Sequence, residues 1–387
     1  MLPGMRLVLN AMQVRAAKSG VGQYIYALTE ELLPLLKSDD HLSLYTSREN
    51  CGNYQFADAP PNYENIPWGF PEGKKIRRLL KEYLCFPREA ARQHHPTLLH
   101  GLSNFLPFYK VCPYVLSLHD LSYYVHPERC GALRRAYWYA MTARSVAVAD
   151  EIITISENSR RDILHYFPDC KAPVTVIPLA AHRRFRVLDL PRERCMSVGA
   201  YAGSLPYILY VGTLEPGKNV GRIIRAFDAL ADRFPEHLLL LAGDKGWLTD
   251  SIFAEAERAS HRQRIKFLGH VSDDAVVELM NHTDVFVFPS LYEGFGMPPL
   301  EAMSCGAPVV TSLTSSLPEV TGPDAALQVD PLDEADLTSK LCMVLSDCAL
   351  SSRLREKGMA RAAEFSWSKT AKETYTVYER TSKSGSR

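Results

Sequence analysis

Residues 289–310 read PSLYEGFGMPPLEAMSCGAPVV, and the fold can be worked outward from this stretch. Ahead of it lies VFVFP (285–289), a short continuous apolar run of the kind that forms a strand covered on both faces. Behind it, LEAMSCG has the composition of a helix that stops at Gly306. The order strand, glycine loop, helix presents free backbone N–H groups and the positive end of a helix to an anion. Gly294 and Gly296 let the backbone approach a ligand closely. Glu293 and Glu301, eight positions apart, fall at the loop mouth and about two turns into the helix. Amides for a diphosphate beside carboxylates for hydroxyl groups suit a nucleotide sugar. Two acids at this spacing are also what an ordinary solvated helix face offers, with Pro298 as a plain first-turn residue.

The same alternation runs through the chain. Strand candidates in the first half are RLVLN (6–10), LSLY (42–45), TLLHG (97–101), YVLSLH (114–119), EIITIS (151–156) and VTVIP (174–178). In the second half they are YILYVG (207–212), LLLLAG (238–243), IKFLG (265–269), VFVFP (285–289), PVVTS (308–312) and ALQV (326–329). Amphipathic stretches such as 21–37, 156–167 and 220–234 lie between them. Strand–helix–strand repetition predicts an α/β protein with right-handed parallel sheets. Two such series in 387 residues predict two doubly wound domains, at 1–190 and 205–364. The junction is expected at 183–206, which has no clear period and carries Pro191, Gly199, Gly203 and Pro206. The tail from 381 reads as disordered.

Composition narrows the function classes. Lys and Arg number 44 and Asp and Glu number 44, and this zero net charge argues against a nucleic-acid partner. Nine cysteines, none in a C-x-x-C pair, fit reduced thiols of a cytoplasmic protein better than a disulfide framework or a zinc site. The N-terminus runs straight into a strand, and no apolar run reaches the about 20 residues a membrane span needs. Peripheral contact with the inner face of the cytoplasmic membrane stays open. Residues 73–93 hold seven Lys/Arg against two Glu, and 129–145 hold four arginines, no acid, and Tyr137, Trp138 and Tyr139. Both fit a helix on an anionic membrane as well as a solvated face or a protein contact.

The stretch around Glu293 and Glu301 resembles the E-x7-E signature of glycosyltransferase family 4, retaining enzymes of the GT-B fold. ILYVGTLEPGKNV (208–220) resembles that family's phosphate-binding loop. The resemblance covers most of the chain, with its specific blocks in the second half. It implies two Rossmann-like domains facing across a cleft, and a last helix, FSWSKTAKETYTVYER (365–380), that crosses back onto the first domain. It implies a hexosyltransferase with a nucleotide-diphosphate sugar as donor and no cofactor. Metal looks unnecessary, since no D-x-D motif occurs in the chain. HDLSYYVHPE, ISENSRRDIL and VGTLEPGKN are similar to bacterial mannosyl- and rhamnosyltransferases that build O-antigen or exopolysaccharide. That similarity implies GDP-mannose as donor, with a UDP- or dTDP-hexose in reserve, and a lipid-linked saccharide acceptor. A nucleotide-sugar epimerase, a phosphorylase of the same plan, and a non-catalytic sugar-nucleotide-binding partner are the competing classes.

Individual residues carry these expectations unequally. Gly20–Val21–Gly22 follows the first strand, but Ile25 stands where a dinucleotide fingerprint wants glycine, and the second strand ends without an acid. A turn and helix start explain it as well; by resemblance Gly20 and Gly22 face the donor phosphates. His119 ends a strand, where ligands of open α/β sheets bind. By resemblance it contacts the transferred sugar near the reacting carbon, while Asp120 orients backbone. Lys218, beside Glu215 and Asn219, can neutralise a leaving diphosphate. The family commonly has an arginine just before this lysine, and some members have one where Thr213 stands; here Gly217 and Thr213 reduce the cationic pair to Lys218. Asp244 and Val271 follow two strands where a nucleoside could lie against backbone. Ser272 with Asp273 and Asp274 reads as a helix cap with first-turn acids, or Asp273 accepts hydrogen bonds from guanine N1 and N2. By resemblance, Glu293 sits near the donor hexose and diphosphate, Glu301 binds the ribose hydroxyls, and the N–H groups of Gly294, Phe295 and Gly296 take hydroxyls or phosphate oxygens.

Overall fold

The computed structural model describes residues 4–13, 20–68, 82–129 and 131–384. The chain forms two compact units, Met1–Leu179 with Trp367–Arg387, and Ala180–Ser366. The first holds a seven-stranded sheet of β1 (Arg6–Asn10), β2 (His41–Ser47), β3 (Tyr63–Trp68), β4 (Leu98–Gly101), β5 (Tyr114–Ser117), β6 (Glu151–Thr154) and β7 (Val174–Val176). Its strand order is β3-β2-β1-β4-β5-β6-β7, and every pairing is parallel. The second holds six parallel strands, β8 (Tyr207–Val211), β9 (Leu238–Ala242), β10 (Ile265–Gly269), β11 (Val285–Phe288), β12 (Val309–Ser312) and β13 (Leu327–Val329), in the order β10-β9-β8-β11-β12-β13.

The continuous apolar runs are buried as two-sided strands must be: every residue of β4, β5, β9, β11 and β12 is buried. Sequence patterning finds all strands but β3. YENIPW is only weakly apolar, carries Pro67, and lies at the edge of its sheet, the one place in a sheet that tolerates proline. The helix Val220–Leu230 buries Val220, Ile223, Ile224, Phe227 and Leu230, the i, i+3, i+4, i+7 stripe of an amphipathic helix.

The junction lies earlier than the sequence suggests. The first unit ends at Leu179, not 190, and the aperiodic stretch 183–206 belongs wholly to the second unit. Side chains of the helix Asp273–His282 hold it there: Leu188 N donates to Asn281 Oδ1 at 2.8 Å and Ser197 N to Glu278 Oε2 at 2.8 Å. Such tethering leaves no hydrophobic period to read. The last helix runs Trp367–Ser384, beyond the expected end at 380, and Thr370 Oγ1 ties it to Pro178 O at 2.7 Å within the first unit. Thr381, expected in a disordered tail, is buried within this helix.

In each sheet the strand order reverses once, at β1/β4 and at β8/β11, and the carboxyl ends of strands at such a reversal are where open α/β sheets bind ligands. Beside the second reversal, on the other edge of β8, the loops after β8 and β9 touch: Gly243 sits at φ 146°, and a Cβ there would stand 1.9 Å from the carbonyl oxygen of Gly212. Gly243→Ala should therefore cost at least about 2 kcal/mol and lower the thermal midpoint by about 4–8 °C, read by calorimetry.

Candidate active site

The site in the second unit is assembled at the β8/β11 reversal. After β8 the chain makes one 3-10 turn, Pro216–Lys218, and Asn219 follows at φ 62°. Gly217 O accepts from Leu291 N at 2.9 Å and from Ser290 Oγ at 3.1 Å, and Asn219 Nδ2 reaches Pro289 O at 3.1 Å. These bonds lash the loop after β8 to the loop after β11. Lys218 Nζ then meets Glu293 Oε1 at 2.5 Å, both side chains mostly buried, with the ammonium 5.7 Å from the centre of the Phe288 ring.

The glycine loop is fixed from behind. Glu293 N donates to Ser315 Oγ at 3.0 Å, and Ser316 Oγ contacts Glu293 O at 3.0 Å and Phe295 O at 2.8 Å. Gly296 takes φ 109°, and a Cβ there would lie 2.6 Å from Leu317 Cδ2. Phe295 is buried with its ring against Phe365 at 5.8 Å, so its side chain anchors the loop. The helix runs Met297–Ser304, which puts Glu301 just over one turn in, not two. The two prolines, Pro298 and Pro299, sit inside the first turn, where their missing N–H groups cost nothing.

Glu301 is no solvated helix residue. It is buried, and burial, reinforced by the charge of Asp273 and offset by Arg184, pushes its pKa up to about 8. Arg184 forms an ion pair with Asp273, and its Nε lies 3.0 Å from His182 Nδ1. Arg184 is one residue that sequence reasoning missed: it lies in the aperiodic stretch, in no motif. Ser272 caps its helix by accepting from Ala275 N at 3.3 Å, with Asp273 and Asp274 in the first turn, which is the structural half of the expectation for this segment. Asp244 and His270 pair at 3.4 Å on exposed loops, Val271 is buried, and Thr213 is exposed at the end of β8.

Residues of the first unit are treated by themselves. Gly20 and Gly22 open the helix Gly20–Leu32, and a Cβ at Gly20 would meet nothing within 4 Å, so packing does not require glycine there. His119 follows β5 and is buried. Its backbone N donates to Asn104 Oδ1 at 3.1 Å, and its Nε2 lies 3.0 Å from Leu102 O. A carbonyl only accepts, so Nε2 carries the proton and Nδ1 is left as an acceptor. Burial pushes the His119 pKa down, which keeps the ring neutral. Asp120 Oδ1 accepts from Ser122 N at 2.8 Å, an orienting bond of the expected kind. Among the described residues, no group of three or more His, Cys, Asp or Glu could hold a metal ion. Among them, too, no helix is long and apolar enough to cross a membrane. The eight described cysteines are unbridged.

Two parallel α/β units, one carrying this glycine loop and acid pair at its strand reversal, define a glycosyltransferase of the GT-B class. The comparisons agree: the family model described as Glycosyltransferase Family 4 matches residues 18–181, and that described as Glycosyl transferases group 1 matches 196–361. The chain is 30% identical to O-antigen chain mannosyltransferase B of Escherichia coli, over 97% of this chain and 100% of that protein. It therefore belongs to glycosyltransferase family 4 and is a hexosyltransferase. It is also 34% identical to the serotype-specific mannosyltransferase WbdA of Escherichia coli, over 65% of this chain and 32% of that protein. Among solved structures it superposes on WaaG, a glycosyltransferase involved in lipopolysaccharide biosynthesis, with a TM-score of 0.74 at 16% identity over 96% and 99% of the two chains. The structure of Anabaena Alr3699/HepE in complex with UDP-glucose gives 0.73 at 15% identity over 97% and 100%. Both establish the shared fold.

The buried acid has a measurable consequence. In the unfolded chain Glu301 ionises near 4.5, whereas in the folded protein it keeps its proton to about 8. Between those values unfolding releases a proton, so this residue makes stability fall as pH rises. The thermal midpoint of the wild type should drop between pH 5 and pH 8 relative to that of Glu301→Gln, and the two curves should run parallel above pH 9.

Proposed function

We propose that the protein is a retaining transferase that moves mannose from GDP-mannose to a lipid-linked or oligosaccharide acceptor in cell-surface polysaccharide synthesis. The observation that carries this reading is the Lys218–Glu293 pair at 2.5 Å beside the glycine loop. An ammonium held at the positive end of a helix suits a departing diphosphate, and preorganised donors stabilise charge that develops there without reorganising. The mannosyltransferases among its relatives support the sugar and the setting.

On this reading the diphosphate lies against Lys218 and the amides of Gly294, Phe295 and Gly296, and Glu293 exchanges its salt bridge for a bond to the hexose. Glu301 takes the ribose diol as a hydrogen-bonding pair. Guanine N1–H and N2–H displace the Arg184 guanidinium from Asp273, and Asp244 and Val271 line the nucleoside. Neutral His119 contacts the transferred sugar through Nδ1. Attack comes from the face that the diphosphate leaves, and the leaving oxygen accepts the acceptor proton. No metal takes part, so EDTA leaves turnover unchanged. The helix Ala132–Val148 carries Arg134 and Arg135 with Leu133 88% exposed, and is assigned to an anionic membrane surface. Of the other basic stretch, residues 73–81 lie outside the described residues.

Release of GDP from GDP-mannose tests the assignment. Glu293→Ala and Lys218→Ala should each lower turnover by about 10²-fold or more with the thermal midpoint within a few degrees of wild type. Wild-type turnover in Glu293→Ala would refute it. GDP should raise the midpoint further than UDP, dTDP or ADP at equal concentration, because specific ligands stabilise by mass action; a larger shift with UDP or dTDP would replace the proposed donor.

A further inference from the structure

Behind His119 the first unit contains a chain of buried polar side chains that the proposed reaction does not use. Tyr378 OH of the last helix lies 2.7 Å from His100 Nδ1. His100 Nε2 lies 2.8 Å from Ser117 Oγ, and Ser117 Oγ lies 2.8 Å from Tyr24 OH. Every member is at most 3% exposed. The chain therefore joins the C-terminal helix, β4, β5 and the first helix by side chains alone. Burial pushes the His100 pKa down to about 3, so the ring is neutral and must donate through one nitrogen and accept through the other. The His100 tautomer then decides which of Tyr378 OH and Ser117 Oγ donates to the ring and which accepts from it, and a buried network of this kind is rigid when all its members are satisfied.

The chain ends at Tyr24, and Tyr24 bears on His119. The two rings meet edge to face, with centroids 4.7 Å apart and planes at 82°. The far side of Tyr24 approaches Trp367, the first residue of the C-terminal helix, with centroids at 6.2 Å. The indole Nε1–H of Trp367 is buried and finds no acceptor among the described residues, so this ring holds Tyr24 by packing. His119 itself has one side-chain hydrogen bond, from Nε2 to Leu102 O. That bond fixes one nitrogen of the buried ring, and the edge-to-face contact with Tyr24 bears on its plane and so on the direction of Nδ1.

From this geometry we infer that Tyr24 is a positioning residue for His119, tethered by Ser117 and His100 to Tyr378, so that the C-terminal helix sets the aim of the imidazole. The inference rests on the reading of His119 as the group that contacts the transferred sugar. Tyr24 touches no substrate; it acts through His119.

The test uses the full chain with imidazole nitrogens labelled, the His119 signal being assigned by its loss in His119→Gln. The wild type should show a neutral ring protonated at Nε2. Tyr24→Phe, which keeps the ring and removes the tether, should let the imidazole turn away from the Leu102 carbonyl and so shift the His119 nitrogens toward a mixture of tautomers. It should lower kcat for GDP release from GDP-mannose by roughly tenfold, with KM for GDP-mannose unchanged within twofold. Tyr24→Leu should do more, roughly a hundredfold in kcat. Tyr378→Phe, which cuts the chain at its far end, should reproduce the Tyr24→Phe spectrum in weaker form. A merely structural role would lower the folded fraction and leave the His119 nitrogens of the folded molecules as in the wild type; that result in folded Tyr24→Phe overturns the inference, whether or not Tyr24→Leu folds. If His119→Ala releases GDP at the wild-type rate, the sugar-contact reading fails instead, and the nitrogen shifts still decide whether Tyr24 aims the ring.

Discussion

The ion pair between Lys218 and Glu293 is the contact on which the second unit's site depends. It forms because β8 and β11 are neighbours at the point where strand order reverses, so their loops leave the sheet side by side with no helix between them. The bonds from Leu291 and Ser290 to Gly217 bring the two loops into register, and the pair closes across them. Glu293 offsets part of the cost of burying the Lys218 ammonium. The acid thus holds the ammonium in place. Ser315 and Ser316 hold the Glu293 backbone, so the carboxylate has little freedom of its own.

Three of the acids in this unit's site carry no unpaired negative charge. Glu293 is paired with Lys218, Asp273 with Arg184, and Glu301 holds its proton to about 8 because it is buried. The missing arginine before Lys218 is relevant here. With Gly217 in its place, the loop brings one cation and one acid, a neutral set, and Arg184 comes from a different segment to balance the second acid. Gly217 is itself buried, with its carbonyl taken up by the neighbouring loop, so the position serves the union of the two loops.

Much of this was legible in the sequence, for identifiable reasons. Two-sided strands must be continuously apolar, and so β8, β9 and β11 announced themselves; β3 did not, because an edge strand can afford Pro67 and polar residues. The glycine at 296 was readable because its positive φ and its contact with Leu317 leave no choice of residue. Arg184 was not, since an ion pair formed across 89 positions leaves no local pattern. Ser315 and Ser316 were hidden for a related reason: TSLTSSLPE reads as an ordinary polar loop, and only the fold shows that its hydroxyls face the Glu293–Phe295 backbone. The end of the first unit was misplaced because 183–206 is held by side-chain caps from the helix Asp273–His282, and capping has no period.

The two units solve different electrostatic problems with the same sheet logic. The second places paired charges at its reversal point, which suits a ligand with a charge of its own. Beside Asp120, the first packs His119 against neutral groups: His100 with its pKa pushed down to about 3, and tyrosines pushed far above their ordinary range by burial, while burial shifts His119 itself down. Neutral groups in fixed orientations discriminate by direction, since a hydroxyl must find a donor and an acceptor in the right places. A sugar hydroxyl is recognised in that way, whereas a diphosphate is recognised by countercharge and main-chain amides.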